Sequence, residues 1–187
     1  LAFLVFTFCW SSPCLAQDYY PLHVGDTWQY KTYFQGDFRG YFTESIAKDT
    51  VMSNGRRYFV FNVELFGAVV VRMDDSLISY AYDSRNLDSD TSTTELTLNR
   101  FNAPVGRTWR SFRIPDPRGL IAKMEDSLYT VWFDEPVEVR KISYWLASGL
   151  FGATNYYSKK HGLIYSVEEG DVIYQLAGAS IGGTVYG

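Results

Sequence analysis

Apolar and polar side chains alternate along much of the chain, beginning with the run from Trp28 to Gln35. Four residues at every second position of this run share one face: Trp28, Tyr30, Thr32 and Phe34. Successive side chains of an extended backbone point to opposite faces, so the run predicts a β-strand with one buried face. The Gly36-Asp37 pair that follows indicates a turn.

Similar runs, separated by turn residues such as Asn54-Gly55, recur along the chain. They predict strands at residues 38–50, 58–66, 69–73, 77–82, 137–146, 162–168 and 171–178. Strands that follow one another about every 8 to 12 residues are typical of all-β proteins. Phe, Tyr and Trp make up 18% of the chain, and their bulk also favours strands. The only helical spacing is at residues 120–128, where apolar residues fall on one side of a short helix.

A five-residue pattern occurs twice, as VGDTW at residues 24–28 and as VGRTW at residues 105–109. Each copy has a proline upstream, a glycine that permits a bend, and a tryptophan that heads an alternating run. The residues concerned are Pro21, Gly25 and Trp28 in the first copy and Pro104, Gly106 and Trp109 in the second. The repetition predicts two similar β-meanders in one sheet, near residues 20–103 and 104–187, with both tryptophans in the core.

The start of the chain has the order of a secretory signal peptide, with an apolar stretch followed by the small-x-small triplet Cys14-Leu15-Ala16. We therefore expect residues 1–16 to be a signal peptide with a truncated start, and residues 17–187 to form one exported β domain. That domain has no cysteine and no apolar run of the roughly 18 residues that would span a membrane. The chain carries 17 basic and 21 acidic residues, and this net charge of −4 argues against nucleic-acid binding.

The stretch DYYPLHVGDTWQY resembles the opening, Y-x-P-L-x-x-G-x-x-W-x-Y, of a set of exported bacterial β-rich proteins of unknown function, some of them grouped as TapB-like. The closing stretches YYSKKHGLIYSVEEG and LAGASIGGTVYG are similar to the end of the same kind of domain. The resemblance implies a single strongly curved antiparallel sheet, an open or half barrel similar to LolA-like envelope carriers. It implies no catalytic residues. A β-sandwich is the alternative fold.

Three features bear on chemistry without supporting an enzyme or a metal site. Residues 178–182 fit G-x-S-x-G, but the five residues after them contain neither the acid nor the histidine that a hydrolase needs downstream. His23 and His161, the only histidines, lie in expected turns and are too few for a three-histidine zinc site. The polar loop with Asn86, Asp88 and Asp90 lacks the glycine and glutamate of a calcium loop. We expect no catalytic residue, no metal and no cofactor.

The candidate binding residues fall into two groups. Arg107, Arg110 and Arg113 are interleaved with aromatic residues, an arrangement that can hold an anionic ligand. Tyr144, Trp145, Tyr156 and Tyr157 are candidate stacking platforms for a glycan. The sequence therefore leaves two functional classes open. One is an exported, non-catalytic module that carries an apolar or amphipathic ligand such as a lipid, or binds an envelope protein; the other is a glycan-binding module. A hydrolase ranks third. Localisation could be periplasmic, outer-envelope or secreted.

Overall fold

The computed structural model describes residues 19, 21–63, 67–82, 95–111, 120–146 and 148–187. These residues form thirteen strands and no helix: β1 (Thr27–Phe34), β2 (Asp37–Val51), β3 (Arg57–Val63), β4 (Gly67–Met73), β5 (Ile78–Tyr82), β6 (Glu95–Arg100), β7 (Thr108–Ser111), β8 (Leu120–Trp132), β9 (Glu135–Leu146), β10 (Phe151–Ser158), β11 (Gly162–Glu168), β12 (Val172–Ile181) and β13 (Thr184–Tyr186). No helix able to span a bilayer occurs in this part of the chain. The expected signal peptide, residues 1–16, lies outside the described residues.

All thirteen strands belong to one antiparallel sheet. Its order is β6-β5-β4-β3-β2-β1-β12-β11-β10-β9-β8-β7, and β13 pairs with the end of β12. The sheet thus consists of two six-stranded meanders, β1–β6 and β7–β12, joined where β1 pairs with β12. The prediction of an all-β fold built on a single strongly curved antiparallel sheet is confirmed.

The sheet is nearly closed, with one seam between β6 and β7. These two strands are the ends of the hydrogen-bonded order, and they share no backbone ladder. Two side chains of β7 bridge the seam instead: Ser111 Oγ donates to the carbonyl of Leu98 at 2.6 Å, and Trp109 Nε1 reaches the same carbonyl at 3.4 Å. The result is a barrel-like sheet whose last junction depends on side chains.

Aromatic side chains from both meanders fill much of the core. One cluster includes Trp28, Tyr30, Phe42 and Phe61, and a second includes Phe101, Trp109, Tyr144 and Tyr157. Each such side chain removes about 150–250 Å² of largely apolar surface from water, so these residues contribute heavily to stability. Alternation matches the sequence prediction in the first part of β1, because Trp28 and Tyr30 are buried and Gln29 between them is exposed. Phe34, predicted on the same buried face, is exposed, and it lies beyond a register shift with β2 between Thr32 and Tyr33.

The two copies of the repeated pattern have the same backbone hydrogen bonds. Gly25 N donates to the carbonyl of Ile46 at 2.9 Å, and Gly106 N donates to the carbonyl of Met124 at 2.7 Å. Both glycines have positive φ, +94° and +86°, a region that other residues rarely adopt. The same partner residue also donates in return: Ile46 N donates to the carbonyl of Asp26, and Met124 N donates to the carbonyl of Arg107.

The tryptophans of the two copies also have similar surroundings. Trp28 and Trp109 are both buried, and each indole donates to a main-chain carbonyl, of His161 and of Leu98 respectively. The upstream prolines differ. The carbonyl of Pro104 accepts the bond from the residue after Gly106, whereas the carbonyl of His23 has that role in the first copy. Pro21 instead packs close to Gly162.

The helical alternative for residues 120–128 is wrong, because these residues belong to β8. Leu120 and Met124 face the core, while Ile121 points to the other face and is exposed. The register with β9 shifts between Met124 and Asp126, which leaves Glu125 as a bulge. The helix-like spacing therefore has two sources: Ile121 is an apolar residue on the outer face, and the bulge at Glu125 shifts the alternation between Met124 and Leu128.

Candidate functional site

Glu44 is an acidic residue on the inner face of the barrel-like sheet. It lies on β2 between Phe42 and Ile46, which are both buried, and alternation places its side chain on their side of the strand. Its cross-strand neighbour on β1 is the buried Trp28. Glu44 keeps part of its surface accessible although protein surrounds its carboxyl group. Glu44 is therefore an inward-facing acidic side chain that is largely surrounded by protein and still partly accessible.

The carboxyl group of Glu44 has no partner within the described part of the chain, neither a hydrogen-bond donor nor a cation. Burial raises its pKa from 4.5 to about 7, because removing a carboxylate from water disfavours its charged form. A neighbouring arginine or lysine would lower the pKa, and none of the described residues does so. Glu44 is therefore an uncompensated acidic group at neutral pH.

Aromatic rings flank Glu44 on the neighbouring strands. Trp28 stacks on Phe61 with a centroid distance of 5.7 Å, and Tyr30 stacks on Phe42 at 5.0 Å. Trp28 is directly opposite Glu44 in the β1–β2 ladder, and Phe42 is two residues away on the same face. The carboxyl group thus lies among apolar side chains and aromatic rings, which offer few hydrogen-bond donors to replace water.

A cluster of hydrogen-bonded polar side chains lies within electrostatic range of Glu44. Tyr144 Oη donates to Asn99 Oδ1 and thereby connects β9 with β6 near the seam. Asn155 Nδ2 donates to Tyr157 Oη at 3.0 Å. Burial raises the pKa of Tyr157, and the negative charge of Glu44 adds to that rise. We call Glu44, Asn99, Tyr144, Asn155 and Tyr157 the interior polar site.

The structure separates the residues that the sequence grouped as aromatic platforms. Tyr144 and Tyr157 are buried in the core and belong to the interior polar site. Trp145, adjacent to Tyr144 in the strand, and Tyr156, adjacent to Tyr157, are only partly buried and alternate to the opposite face of their strands. Tyr156 also packs against the core cluster that includes Trp28. Tyr144 and Tyr157 could therefore contact a ligand inside the sheet, whereas Trp145 and Tyr156 could contact one on the opposite face.

The arginine group is only partly described. Arg107 is exposed at the bend after Gly106, and Arg110 is exposed beside the inward-pointing Trp109. Arg113 lies outside the described residues. The anionic-ligand site expected around these three arginines stays a prediction.

The outer face carries a row of side chains in direct cross-strand register, which we call the outer row. The register pairs Lys141 with Tyr156, Tyr156 with Tyr165, Tyr165 with Gln175, Gln175 with Lys31, and Lys31 with Tyr41. Neighbouring strands are about 4.8 Å apart, so six strands give a row about 24 Å long. Among the described residues, no side chain or main-chain group hydrogen-bonds to the polar ends of the outer row.

The G-x-S-x-G pattern at residues 178–182 lies at the end of β12 and in the turn to β13. Ser180 pairs with Thr27 on one side and with Val185 on the other, so it is part of a ladder and not a strand-to-helix turn. Gly182 N donates to the buried Asp26 at 2.8 Å. Residues 178–182 are therefore part of the β12–β13 hairpin, which is hydrogen-bonded to the bend before β1.

The two histidines have different surroundings. His23 pairs with Asp26 at 3.1 Å, and His161 is fully buried against Phe133 and Tyr186, although its position in a turn suggested the surface. In the described ranges, no three His, Cys, Asp or Glu side chains form a group that could hold a metal ion. The polar loop with Asn86, Asp88 and Asp90 lies outside those ranges.

The chain matches no protein-family profile and no curated protein. Two solved structures resemble it in fold. A candidate exported protein with a YmcC-like fold from Bacteroides fragilis has 10% identity and a TM-score of 0.48, covering 90% of this chain and 98% of its own. A candidate lipoprotein from Parabacteroides distasonis has 11% identity and a TM-score of 0.43, with the same coverage. Both descriptions agree with export in general terms and name no ligand or reaction, and similarity this weak carries no inference about residues.

Three members of the interior polar site, Glu44, Asn99 and Asn155, were not selected from the sequence. A signal for Glu44 exists, because it occupies an inward position of an alternating run, Phe42-x-Glu44-x-Ile46. A charged residue in the buried phase of a strand is unusual and points to a special role. Asn99 has no such signal, since only the curvature of the sheet brings β6 near β9.

Proposed function

We propose that the protein is an exported, non-catalytic carrier that holds an apolar or amphipathic ligand inside its barrel-like sheet. The observation that carries this proposal is the unpartnered carboxyl group of Glu44 on an inner face lined by aromatic side chains. An aromatic interior suits an apolar tail, and the interior polar site suits a polar head group. A ligand with both parts fits this division better than a purely apolar one.

A merely structural role does not account for Glu44. A buried charge contributes to stability only when a partner and hydrogen bonds compensate for its lost hydration. Elsewhere in the described chain, the half-buried Glu95 has such partners, since Arg72, Arg56 and Tyr58 all bond to its carboxyl group. Glu44 has none, so its presence lowers the stability of the empty protein. A bound ligand that compensates the charge of the carboxyl group would explain why the protein keeps this destabilising residue.

The seam between β6 and β7 provides a route for the ligand. Backbone ladders join every other neighbouring pair in the sheet order, whereas this junction depends on bonds from Ser111 and Trp109 to one carbonyl. Local opening requires least free energy where few backbone bonds must break. Asn99 and Tyr144 lie beside the seam, so a ligand that enters there arrives at the interior polar site.

The carrier role can be tested with the neutral, environment-sensitive fluorophore N-phenyl-1-naphthylamine. We expect the purified protein to bind it with a rise in fluorescence, and native mass spectrometry of the freshly purified protein to show a co-purified lipid. Introducing bulk inside the sheet with Ala179→Phe should abolish probe binding, whereas Ala47→Phe, at an exposed position on β2, should not. An empty protein that also fails to bind the fluorophore would refute the carrier role.

Glycan binding is the second candidate, and the outer row is the observation that favours it. Tyrosine rings can stack on sugar rings, while lysine, glutamine and tyrosine side chains can hydrogen-bond to sugar hydroxyl groups. Tyr41, at one end of the row, is 55% exposed, and Lys141 lies over the ring of Tyr156 at 5.6 Å. The polar ends are therefore available to a polysaccharide chain that crosses the strands.

Affinity electrophoresis in gels that contain neutral or acidic polysaccharide tests this second candidate. Retardation of the wild type should disappear in the Tyr156→Ala/Tyr165→Ala double variant. Tyr129→Ala is the matched control, because Tyr129 is 79% exposed and lies outside the outer row. Mobility that is the same with and without polysaccharide would exclude the glycan function for the polymers tested.

A further inference from the structure

The members of the interior polar site include one acidic group and no basic group. The other members, Asn99, Tyr144, Asn155 and Tyr157, are neutral, and no cation of the described chain acts on Glu44. The nearest charged register partner, Arg140 opposite Tyr157 on β9, bonds to Tyr19 and pairs with Glu138, and it does not shift the pKa of Glu44. The site therefore presents a net negative charge when Glu44 is ionised. In an enclosed space such a charge is screened little by water, so the head group that fits it best carries the opposite charge.

The surroundings of Glu44 also suit a cation. Trp28 lies directly opposite Glu44, and the stacked pairs Trp28–Phe61 and Tyr30–Phe42 bring ring surfaces to the same inner face. The faces of aromatic rings attract cations, and tryptophan attracts them most strongly. The oxygen atoms of the tyrosine and asparagine side chains can accept hydrogen bonds from an ammonium group, which has donors and no acceptor.

We propose that the interior polar site binds the cationic amine head group of an amphipathic ligand, with Glu44 as its counter-ion and the apolar tail among the core aromatic side chains. This inference rests on the proposed carrier function and specifies its ligand class. An anionic head group would meet a like charge at Glu44. A neutral hydroxyl head group would leave the carboxylate without a counter-ion, so it gains less from binding.

The test compares three probes that share one tail: dodecylamine, dodecanol and dodecanoate. Each is titrated, below its solubility limit or micelle-forming concentration, into the purified protein by isothermal titration calorimetry at pH 8. We expect dodecylamine to bind at least about tenfold more tightly than the other two, in the range of an ion pair combined with a cation–π contact. Glu44→Gln should remove this preference, and Glu44→Asp should retain it.

A proton balance gives a second, independent measurement. At pH 6 Glu44 is largely protonated in the free protein, and an ammonium group beside it favours the ionised form. Binding of dodecylamine at pH 6 should therefore release up to one proton, measured from titrations in two buffers of different ionisation enthalpy. Glu44→Gln should release none. Glu169→Gln, the same change at an exposed turn, should behave as wild type.

The outcomes separate the head-group inference from the carrier function. If dodecanol binds as tightly as dodecylamine, or dodecanoate binds best, or Glu44→Gln keeps the preference for the amine, the head-group inference is wrong and the carrier function stands. If none of the three probes binds, both are wrong. A preference for dodecylamine that Glu44→Gln removes, together with proton release at pH 6, supports both.

Discussion

Replacing Glu44 with glutamine should stabilise the empty protein at pH 8 and leave its stability nearly unchanged at pH 4. In the folded protein the pKa of Glu44 is about 7, against 4.5 for an ordinary glutamate. Below pH 4.5 the carboxyl group is protonated in both the folded and the unfolded state. As the pH rises from 4.5 to 7, the unfolded state releases this proton first, so the free energy of unfolding falls across that window.

The size of the effect follows from the same two pKa values. Each unit of pKa difference corresponds to about 1.36 kcal/mol, so the difference between 4.5 and about 7 gives about 3 kcal/mol above pH 7. For a domain of this size, about 3 kcal/mol raises the melting temperature by about 6–12 °C. Glutamine keeps the shape of glutamate and has no charge to bury, so the variant should not show this loss.

The assay is urea denaturation of wild type and Glu44→Gln at several values between pH 4 and pH 8. The difference between the two proteins isolates Glu44, because every other titrating group is common to both. Glu169→Gln serves as the control and should follow the wild type throughout. A difference that is independent of pH, or a variant less stable than wild type at pH 8, would show that Glu44 is compensated and would remove the basis of the interior polar site.

Three further predictions concern the framework around the site. Trp28→Ala and Trp109→Ala should each cost about 3–5 kcal/mol in urea denaturation, because each empties a buried aromatic position, and a loss below about 1 kcal/mol would contradict a core role. Asp26→Ala should lower the free energy of unfolding by about 1–3 kcal/mol, because buried Asp26 accepts hydrogen bonds from His23 N and Gly182 N. Arg107 has the matching position in the second copy and is exposed, so Arg107→Ala should change the free energy of unfolding by no more than about 0.5 kcal/mol. His161 is buried, and burial lowers its pKa from 6.5 to about 4. The free energy of unfolding should therefore fall by up to about 3 kcal/mol as the pH falls from 6.5 to 4. His161→Leu should lack this part of the pH dependence in the same assay.

The strands were largely predictable from the sequence because alternation is a local property. The run from Trp28 to Gln35 became β1, and the turns at Gly36 and at Asn54-Gly55 lie where expected. The helix-like spacing at residues 120–128 belongs to β8, where a bulge at Glu125 disturbs the period of two. No strand was predicted at β6, β8, β10 or β13. β8 has the helix-like spacing, and the runs of the other three are short or interrupted by small residues.

The interior polar site was far less predictable than the strands. Tyr144 and Tyr157 were selected with Trp145 and Tyr156, but residues adjacent in a strand point to opposite faces. Sequence alone gives the alternation and leaves open which phase faces inward. Only the structure assigns Tyr144 and Tyr157 to the core and leaves Tyr156 in the outer row.

By itself, the sequence determined the all-β class and the two bends at Gly25 and Gly106, because alternation and backbone freedom act over a few residues. The closure of the sheet was decided by tertiary structure, through the pairing of β1 with β12 and the side-chain bridge from β7 to the carbonyl of Leu98. The placement of Glu44 within electrostatic range of Tyr157 was decided in the same way. These contacts join residues far apart in the chain, and their positions depend on how the curvature of each strand adds up around the whole sheet.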